Sequence, residues 1–332
     1  MNCSPPVRLL SAFLATILGV SSFAPNAHCA GKDPAWPNRP VRFVVPFPPG
    51  GTPDIQARIL AEPLRDSLGQ PVVIDNRGGA NGVIAMETVA RAPADGYTIL
   101  IGTVGNWAVN PHLRKLPYDV VKDFAPIVHV ATTPGVVVVN PAVPVKSIVD
   151  LIALARAKPG ALNYGSVGIG GFGHICTELF MSMTGTRMTH VPYKSSITAL
   201  TDTVSGSLQV LFNSAPQTIP HIRSGRVRAL ATTGARRAAA LPDLPTVAEA
   251  GVPGYENSTW SAIAAPARTP PAVLERLNRD FNTILKMPEV VEKHGALAST
   301  VTGGSAEDFR AYLKLELAKF EKLVKEAGIK GE

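Results

Sequence analysis

Glycines gather in two places where a backbone could hold an anion. Asn163 to Phe180 reads NYGSVGIGGFGHICTELF, in which Gly168, Gly170 and Gly173 spell G-x-G-x-x-G; Pro46 to Asp54 reads PFPPGGTPD, with Gly50 and Gly51 ahead of a helix start. A glycine loop that runs into a helix presents free N–H groups at the positive end of the helix dipole, which suits a carboxylate as well as a phosphate. A dinucleotide site needs more: a sturdy apolar strand before the loop and an acidic residue about 20 positions later to hold the ribose. Here the preceding strand, ALNYGS, is short and polar, and the next strand runs into HVPYKSS, with a lysine where the acid should stand. The spacing fits a nucleotide and the context does not.

Other residues around these loops carry usable groups. Asp54 sits in the first turn of the helix after Gly51, where it can complement the dipole and cap free amides or orient a water or a ligand's ammonium group. GANG (Gly79 to Gly82) and GTVGN (Gly102 to Asn106) add small residues with free amides, and Thr103 adds a hydroxyl. His174 follows the second glycine loop at a place where it can touch a ligand, and Tyr193 and Lys194 end a strand facing the same region. Catalysis is poorly supported: YGSVG puts Ser166 outside a G-x-S-x-G elbow, and a hydrolase built on Ser166 and His174 lacks a placed acid. The histidines occur singly, without H-x-H or H-E-x-x-H spacing, so neither a metal nor another cofactor is expected.

These residues need a scaffold, and strand and helix signals alternate from Val41 onward as in an α/β fold with largely parallel sheets. VRFVVPF, PVVIDN and YTILIGT read as strands of a first half; ALNYGS, MTHVPY and LQVLFNS read as strands of a second, each strand again ending at a loop and a helix. Thr52 is the expected N-cap of the first helix, with Pro53 at its first position and Gly69 closing it. Ligands of open α/β sheets lie beyond strand carboxyl ends, so two such halves face to face make a cleft lined from both sides. APIVHVATT and GVVVVNP are two β-branched runs able to carry the chain across, and WSAIAAP returns it. Apolar residues at helical spacing in the tail (Leu274, Leu277, Phe281, Leu285; Phe309, Leu313, Leu317, Phe320) read as packing stripes that wrap the first lobe.

Bulk properties narrow the class. With 332 residues, 45% hydrophobic and 17% charged, the chain can bury two ordinary cores. Residues 1–30 (one cation at Arg8, an apolar run from Leu9 to Val20, then small residues) read as a secretory signal peptide, too short in its apolar run for a membrane span. Cys3 and Cys29 fall within it, leaving Cys176, read as a buried small hydrophobe. The net charge of +7 is spread thinly, and the densest basic stretch, IRSGRVRALATTGARR, lacks interleaved aromatics and reads as solvated surface, which argues against nucleic acid.

Across the whole mature chain, VRFVVPFPPGGTPDIQAR, VIDNRGGANG, ADGYTILIG, NYGSVGIGGFGH, HVPYKSS and LPDLPTVAEAGVPGYENSTW resemble, in order, the blocks of the Bug (TctC-like) periplasmic receptors of tripartite tricarboxylate transport systems. The resemblance implies a two-lobed type II periplasmic binding protein, with lobe 1 at 31–134 plus 259–332 and lobe 2 at 135–258. It implies a monomer whose cleft holds a small carboxylate through backbone amides, hydroxyls and waters, and which hands it to membrane transport subunits; a ligand sensor for a signalling partner is the alternative. Carried over by position, lobe 1 offers Phe47, Pro48, Gly50, Gly51, Asp54, Gly79, Ala80, Gly82, Thr103 and Asn106. Lobe 2 offers Ser166, Gly168, Gly170, Gly171, His174, Tyr193, Lys194, Ser195, Asn213 and Ser214. Ser195 stands where many relatives have glycine and Asn213 where aspartate is common, so the family does not fix the ligand's variable end.

Overall fold

The structure, a computed structural model, describes residues 36–326 and 328–329; the signal-peptide reading lies outside them. Three strands open the fold: β1 (Val41–Val45), β2 (Val72–Asn76) and β3 (Thr98–Thr103). They pair in parallel with β1 in the middle, because helices α1 (Thr52–Leu68) and α2 (Val83–Ala90) carry the chain back between them. Helix α1 ends where sequence placed its stop, at Gly69 with φ +65°. Its N-cap is Gly51 rather than Thr52: the Thr52 hydroxyl bonds elsewhere, and the glycine's extended backbone makes the turn without a side chain.

The two β-branched runs are one 16-residue strand, β4 (Phe124–Val139). Its first part pairs antiparallel with the returning strand β9 (Ser258–Pro266), which itself lies antiparallel to β3. From Gly135 onward it pairs antiparallel with β7 (Val210–Ser214) and β8 (Arg228–Thr232). Strands β5 (Asn163–Ser166) and β6 (Thr189–Pro192) complete this second sheet, with β5 parallel to both β6 and β7. The sheets are therefore parallel where the glycine loops sit and antiparallel where the chain crosses. The basic stretch read as surface contains β8: its Leu230 and Ala231 are buried, and Arg228 spends its charge on the carbonyls of Val143 and Val145.

Helices cover both sheets, and the short helix α3 (Asn110–Leu113) lies beyond β3. On the second, α4 (Ile148–Ala157), α5 (Phe172–Thr184), α6 (Ser196–Ser205) and α7 (Ala215–Arg223) follow their strands. Helix α4 starts at Ser147, whose Oγ accepts from the Asp150 amide. The tail forms α8 (Pro271–Leu285), α9 (Pro288–Ala296), the short strand β10 (Thr300–Val301) and α10 (Ala306–Glu326). Leu277, Phe281 and Leu285 of α8 pack with Val41, Phe43 and Leu60 on one side of the first sheet. Phe309, Leu313 and Phe320 of α10 pack with Trp107 and Trp260 on the other. Separate clusters around Tyr164, Phe180 and Phe212, and around Leu208 and Leu211, fill the two sides of the second sheet. Each such side chain contributes roughly 1.5–3 kcal/mol by leaving water, so the tail stripes are structural.

Candidate functional site

The glycine loops after β1 and β5 are built alike. Gly51 has φ −66° and ψ 155° and Gly171 has φ −66° and ψ 154°, and both are N-caps without a side-chain cap. Gly51 N–H donates to Pro48 O at 3.2 Å and Gly171 N–H to Gly168 O at 3.1 Å. A third helix, α7, also begins without a side-chain cap, at Ser214. All three N-termini reach one inner chamber: Gly51, Thr52 and Pro53 from α1, Phe172 and Gly173 from α5, Ser214 and Gln217 from α7. Its volume is about 70 Å³, and at roughly 10–15 Å³ per water-sized group that holds a carboxylate and a few carbons.

An outer chamber of about 550 Å³ adjoins it, sharing Phe47, Asn81 and Val167 as wall. The charge is distributed unevenly between them. Among the described residues, none lining the inner chamber is ionisable: Thr52, Asn81, Thr103, Ser166, Ser196, Asn213, Ser214, Gln217 and Thr259 supply its side-chain polarity. Arg114 and Lys194 line the outer one beside Pro48, Gly79, Ala80, Gly82, Gly168 and Tyr193.

The remaining expected residues stand behind these walls. Asp54 is 2% exposed; its oxygens take the Gly50 amide at 2.8 Å, Arg58 at 3.0 Å and Asn76 at 2.9 Å. Burial alone would raise its carboxyl, but those hydrogen bonds outweigh it and hold the group below the ordinary carboxylate range. It braces the first glycine loop. Asn106 is fully buried and ties two loops together: its Oδ1 accepts from the Thr103 amide at 2.9 Å, and its Nδ2 donates to Asn81 O at 2.8 Å. Ser195 Oγ accepts from the Thr198 amide at 3.2 Å and so caps α6, leaving Ser196 on the chamber wall. Gly50, with φ +84°, leaves room for Ile197 of α6, whose Cδ1 lies 3.1 Å from where a Cβ would stand. Gly170 likewise leaves room for Leu113.

Ser166 and His174 do not form a pair. Ser166 Oγ lies 2.7 Å from His190 Nε2 and accepts from the Gly168 amide at 3.1 Å. His174 is 6% exposed and packs edge-on to His190 with 4.7 Å between ring centres. Burial, and then His190 beside it, push its pKa down to about 4. It packs against Tyr164 and His190, which the β5–β6 register sets opposite each other, and it lines neither chamber. Cys176 is fully buried and its thiol pKa is pushed far up by that burial.

Sequence reasoning missed, among others, Asn81, Arg114, Phe172, Ser196, Gln217 and Thr259. Asn81 had a signal, since it sits within GANG and asparagine tolerates the left-handed backbone that it holds there at φ +50°. Gln217 had none: it reaches the wall from the first turns of α7, donating to Thr52 Oγ1 at 3.4 Å and accepting from Asn213 Nδ2 at 3.1 Å.

Known proteins share this architecture. The family model described as "Tripartite tricarboxylate transporter family receptor" matches residues 56–329. The chain is 39% identical over 297 residues to protein BugT of Bordetella pertussis, covering 89% of this chain and 91% of that one. The solved structure "R. palustris Rpa4515 with adipate" is 41% identical with a TM-score of 0.87, covering 90% of this chain and all of that one. MatC from Rhodopseudomonas palustris with bound malate is 28% identical with a TM-score of 0.82, covering 87% and 100%. The chain belongs to the tripartite tricarboxylate transporter receptor family and has its two-lobed periplasmic-binding-protein fold.

Proposed function

We propose that this protein is a periplasmic receptor that captures a small dicarboxylate between its lobes and delivers it, as a monomer, to the membrane subunits of a tripartite tricarboxylate-type transporter. The lobes divide at 134/135 in β4 and at 258/259 in β9, where β4 leaves its pairing with β9 and takes up β7. One observation carries the reading: the uncapped N-termini of α1, α5 and α7 meet at a chamber whose lining residues are all neutral. Amides at a helix start attract an anion without a salt bridge. The first carboxylate sits there, against Gly51, Thr52, Gly173 and Ser214. The second extends past Phe47 and Asn81 into the outer chamber, toward Lys194 and Arg114. Adipate and malate, named with two relatives, are both dicarboxylates.

The site binds without turnover. Ser166 and His190 have the spacing of a nucleophile and base, but the imidazole lacks an orienting acid, because the Glu178 carboxylate of the same cluster takes the Tyr164 hydroxyl at 2.5 Å. Ligand contacts from both lobes supply the differential affinity that closure requires. Calorimetry and thermal shift with malate, adipate, longer dicarboxylates, monocarboxylates and citrate test the assignment. A dicarboxylate should raise the melting temperature and be recovered unchanged. Binding by none of these acids, or cleavage of an ester analogue lost in Ser166→Ala, would overturn it.

A further inference from the structure

Resting on the carboxylate reading above, we propose that His190, which lines neither chamber, is a positioning residue of the binding site: its hydrogen bond with Ser166 sets whether that hydroxyl offers the cleft its proton or its lone pairs, and carboxylate affinity therefore follows the protonation of His190. The geometry is a relay of one proton. Ser166 is on the inner chamber wall, at the end of β5, and its Oγ is 2.7 Å from His190 Nε2. Gly168 presents both its amide and its carbonyl to the same oxygen, each at 3.1 Å. A serine has one proton to give. When His190 is neutral with its lone pair on Nε2, that proton goes to the imidazole, and Ser166 turns lone pairs toward an incoming carboxylate. Once His190 is an imidazolium, Nε2–H donates to Ser166 Oγ, and the hydroxyl proton turns away from the ring, to be shared between Gly168 O and the ligand.

The surroundings keep this switch on His190. From β5, Tyr164 stacks on its ring at 5.0 Å. From α5, His174 meets it edge-on at 4.7 Å, and Glu178 lies 3.8 Å from His174 Nε2 while accepting from Tyr164. On the other face of the sheet, Tyr193 and Asp202 are bonded to each other at 2.8 Å. Burial holds the His190 pKa below the usual imidazole value, so the ring is neutral at neutral pH. A carboxylate placed against Ser166 favours the imidazolium, and binding raises that pKa.

The test is calorimetry with adipate and with malate from pH 8.0 to 5.5 on the wild-type protein and on His190→Gln, whose amide N–H is a donor at every pH. Titration of the ligand itself is common to both proteins and cancels in the ratio of their dissociation constants. That ratio, variant over wild type, should rise about threefold to tenfold as pH falls, the change given by a ligand-linked pKa shift of about half to one unit. NMR titration of the wild-type ring, which needs no variant, should find the His190 pKa higher with adipate bound than without. A ratio constant across the pH range, or a ring pKa that ligand leaves unmoved or lowers, overturns the inference while leaving dicarboxylate binding intact. Failure of both acids to bind the wild-type protein at every pH overturns both readings together.

Discussion

Thr52 Oγ1 and Ser214 Oγ lie 2.5 Å apart although 162 positions separate them in the chain. One begins α1 above the first sheet and the other ends β7 in the second, so this bond joins the two sides of the cleft directly over the inner chamber. Gln217 adds a weaker tie to the same Thr52 hydroxyl.

Removing that bond should weaken ligand-bound closure more than it weakens the fold. Thr52→Val keeps the shape and loses the hydroxyl; a neutral hydrogen bond contributes about 0.5–1.5 kcal/mol net. Dicarboxylate affinity should fall about threefold to tenfold with little change in the melting temperature of the free protein. A cycle with Ser214→Ala checks it: the double variant should be no worse than the sum of the singles, and clearly better if the two hydroxyls act as a pair.

Lys194 is exposed at the rim and lines only the outer chamber. If it receives the distal carboxylate, Lys194→Met should weaken a dicarboxylate about fivefold, the scale of an exposed ion pair near 1 kcal/mol. A monocarboxylate of the same chain length should be unaffected. Equal losses for both acids would place the contact at the shared end instead.

At Gly82 the loops after β1, β2 and β3 meet closely. Its φ is +84°, and a Cβ there would stand 2.2 Å from Asn106 Nδ2 and 2.9 Å from the Pro46 side chain. Gly82→Ala should cost about 1–3 kcal/mol from strain alone, and displacing Asn106 would also loosen its bonds to Thr103 and Asn81. Denaturant unfolding measures the cost; a loss under about 0.5 kcal/mol would mean that the loop yields freely.

Buried histidines make stability fall with acid, His129 and His174 most of all. Burial pushes His129 down to about 4, and burial with His190 does the same to His174. Their folded pKa values lie below the unfolded value near 6.5, so below it the unfolded chain binds more protons. Each ring then removes up to about 1.4 kcal/mol of stability per pH unit between about 6.5 and 4. Stability should be level above pH 7 and decline through that window. His129→Phe, which suits a ring stacked on Tyr312 at 4.7 Å, should flatten part of the decline in denaturant titrations at a series of pH values.

Cys176 should be inert. It is fully buried and its thiol pKa is far above the ordinary range. With residues 1–30 removed, a thiol reagent should find no reactive sulfhydryl in the native protein and one per chain in guanidinium. Rapid native labelling would show that α5 opens at Cys176.

The glycine loops, the strand carrying each of them and the packing stripes of α8 and α10 were legible because each depends on residues adjacent or at a short period in sequence. What escaped depends on the chain meeting itself. Strand β8 hides in a basic run because Arg228 finds two carbonyls to bond, so its charge does not mark solvent. Pro134 and Gly135 look like a break between two strands, yet β4 continues through them because β9 pairs up to Pro134 and β7 from Gly135. Thr52 has the residue type of an N-cap, but the hydroxyl is claimed by Ser214. In the same way Ser166 and His174 are near in sequence while the sheet register gives Ser166 to His190. Asn81 and Gln217 line the chamber from separate halves, and only the folded crossing puts them on one wall.

The crossing itself has a further consequence. Both passages between the halves lie in β4 and β9, and their ladder shifts register near Pro126 to Val128 and His129 to Ala131. Strand residues already held in a sheet lose little backbone freedom when the cleft shuts, whereas a flexible tether would lose about 1–2 kcal/mol for each residue it ordered. The entropy of the linkers is thus spent at folding, once, and not again at each capture. In such a receptor the energy of the ligand contacts is not diminished by ordering of the linkers.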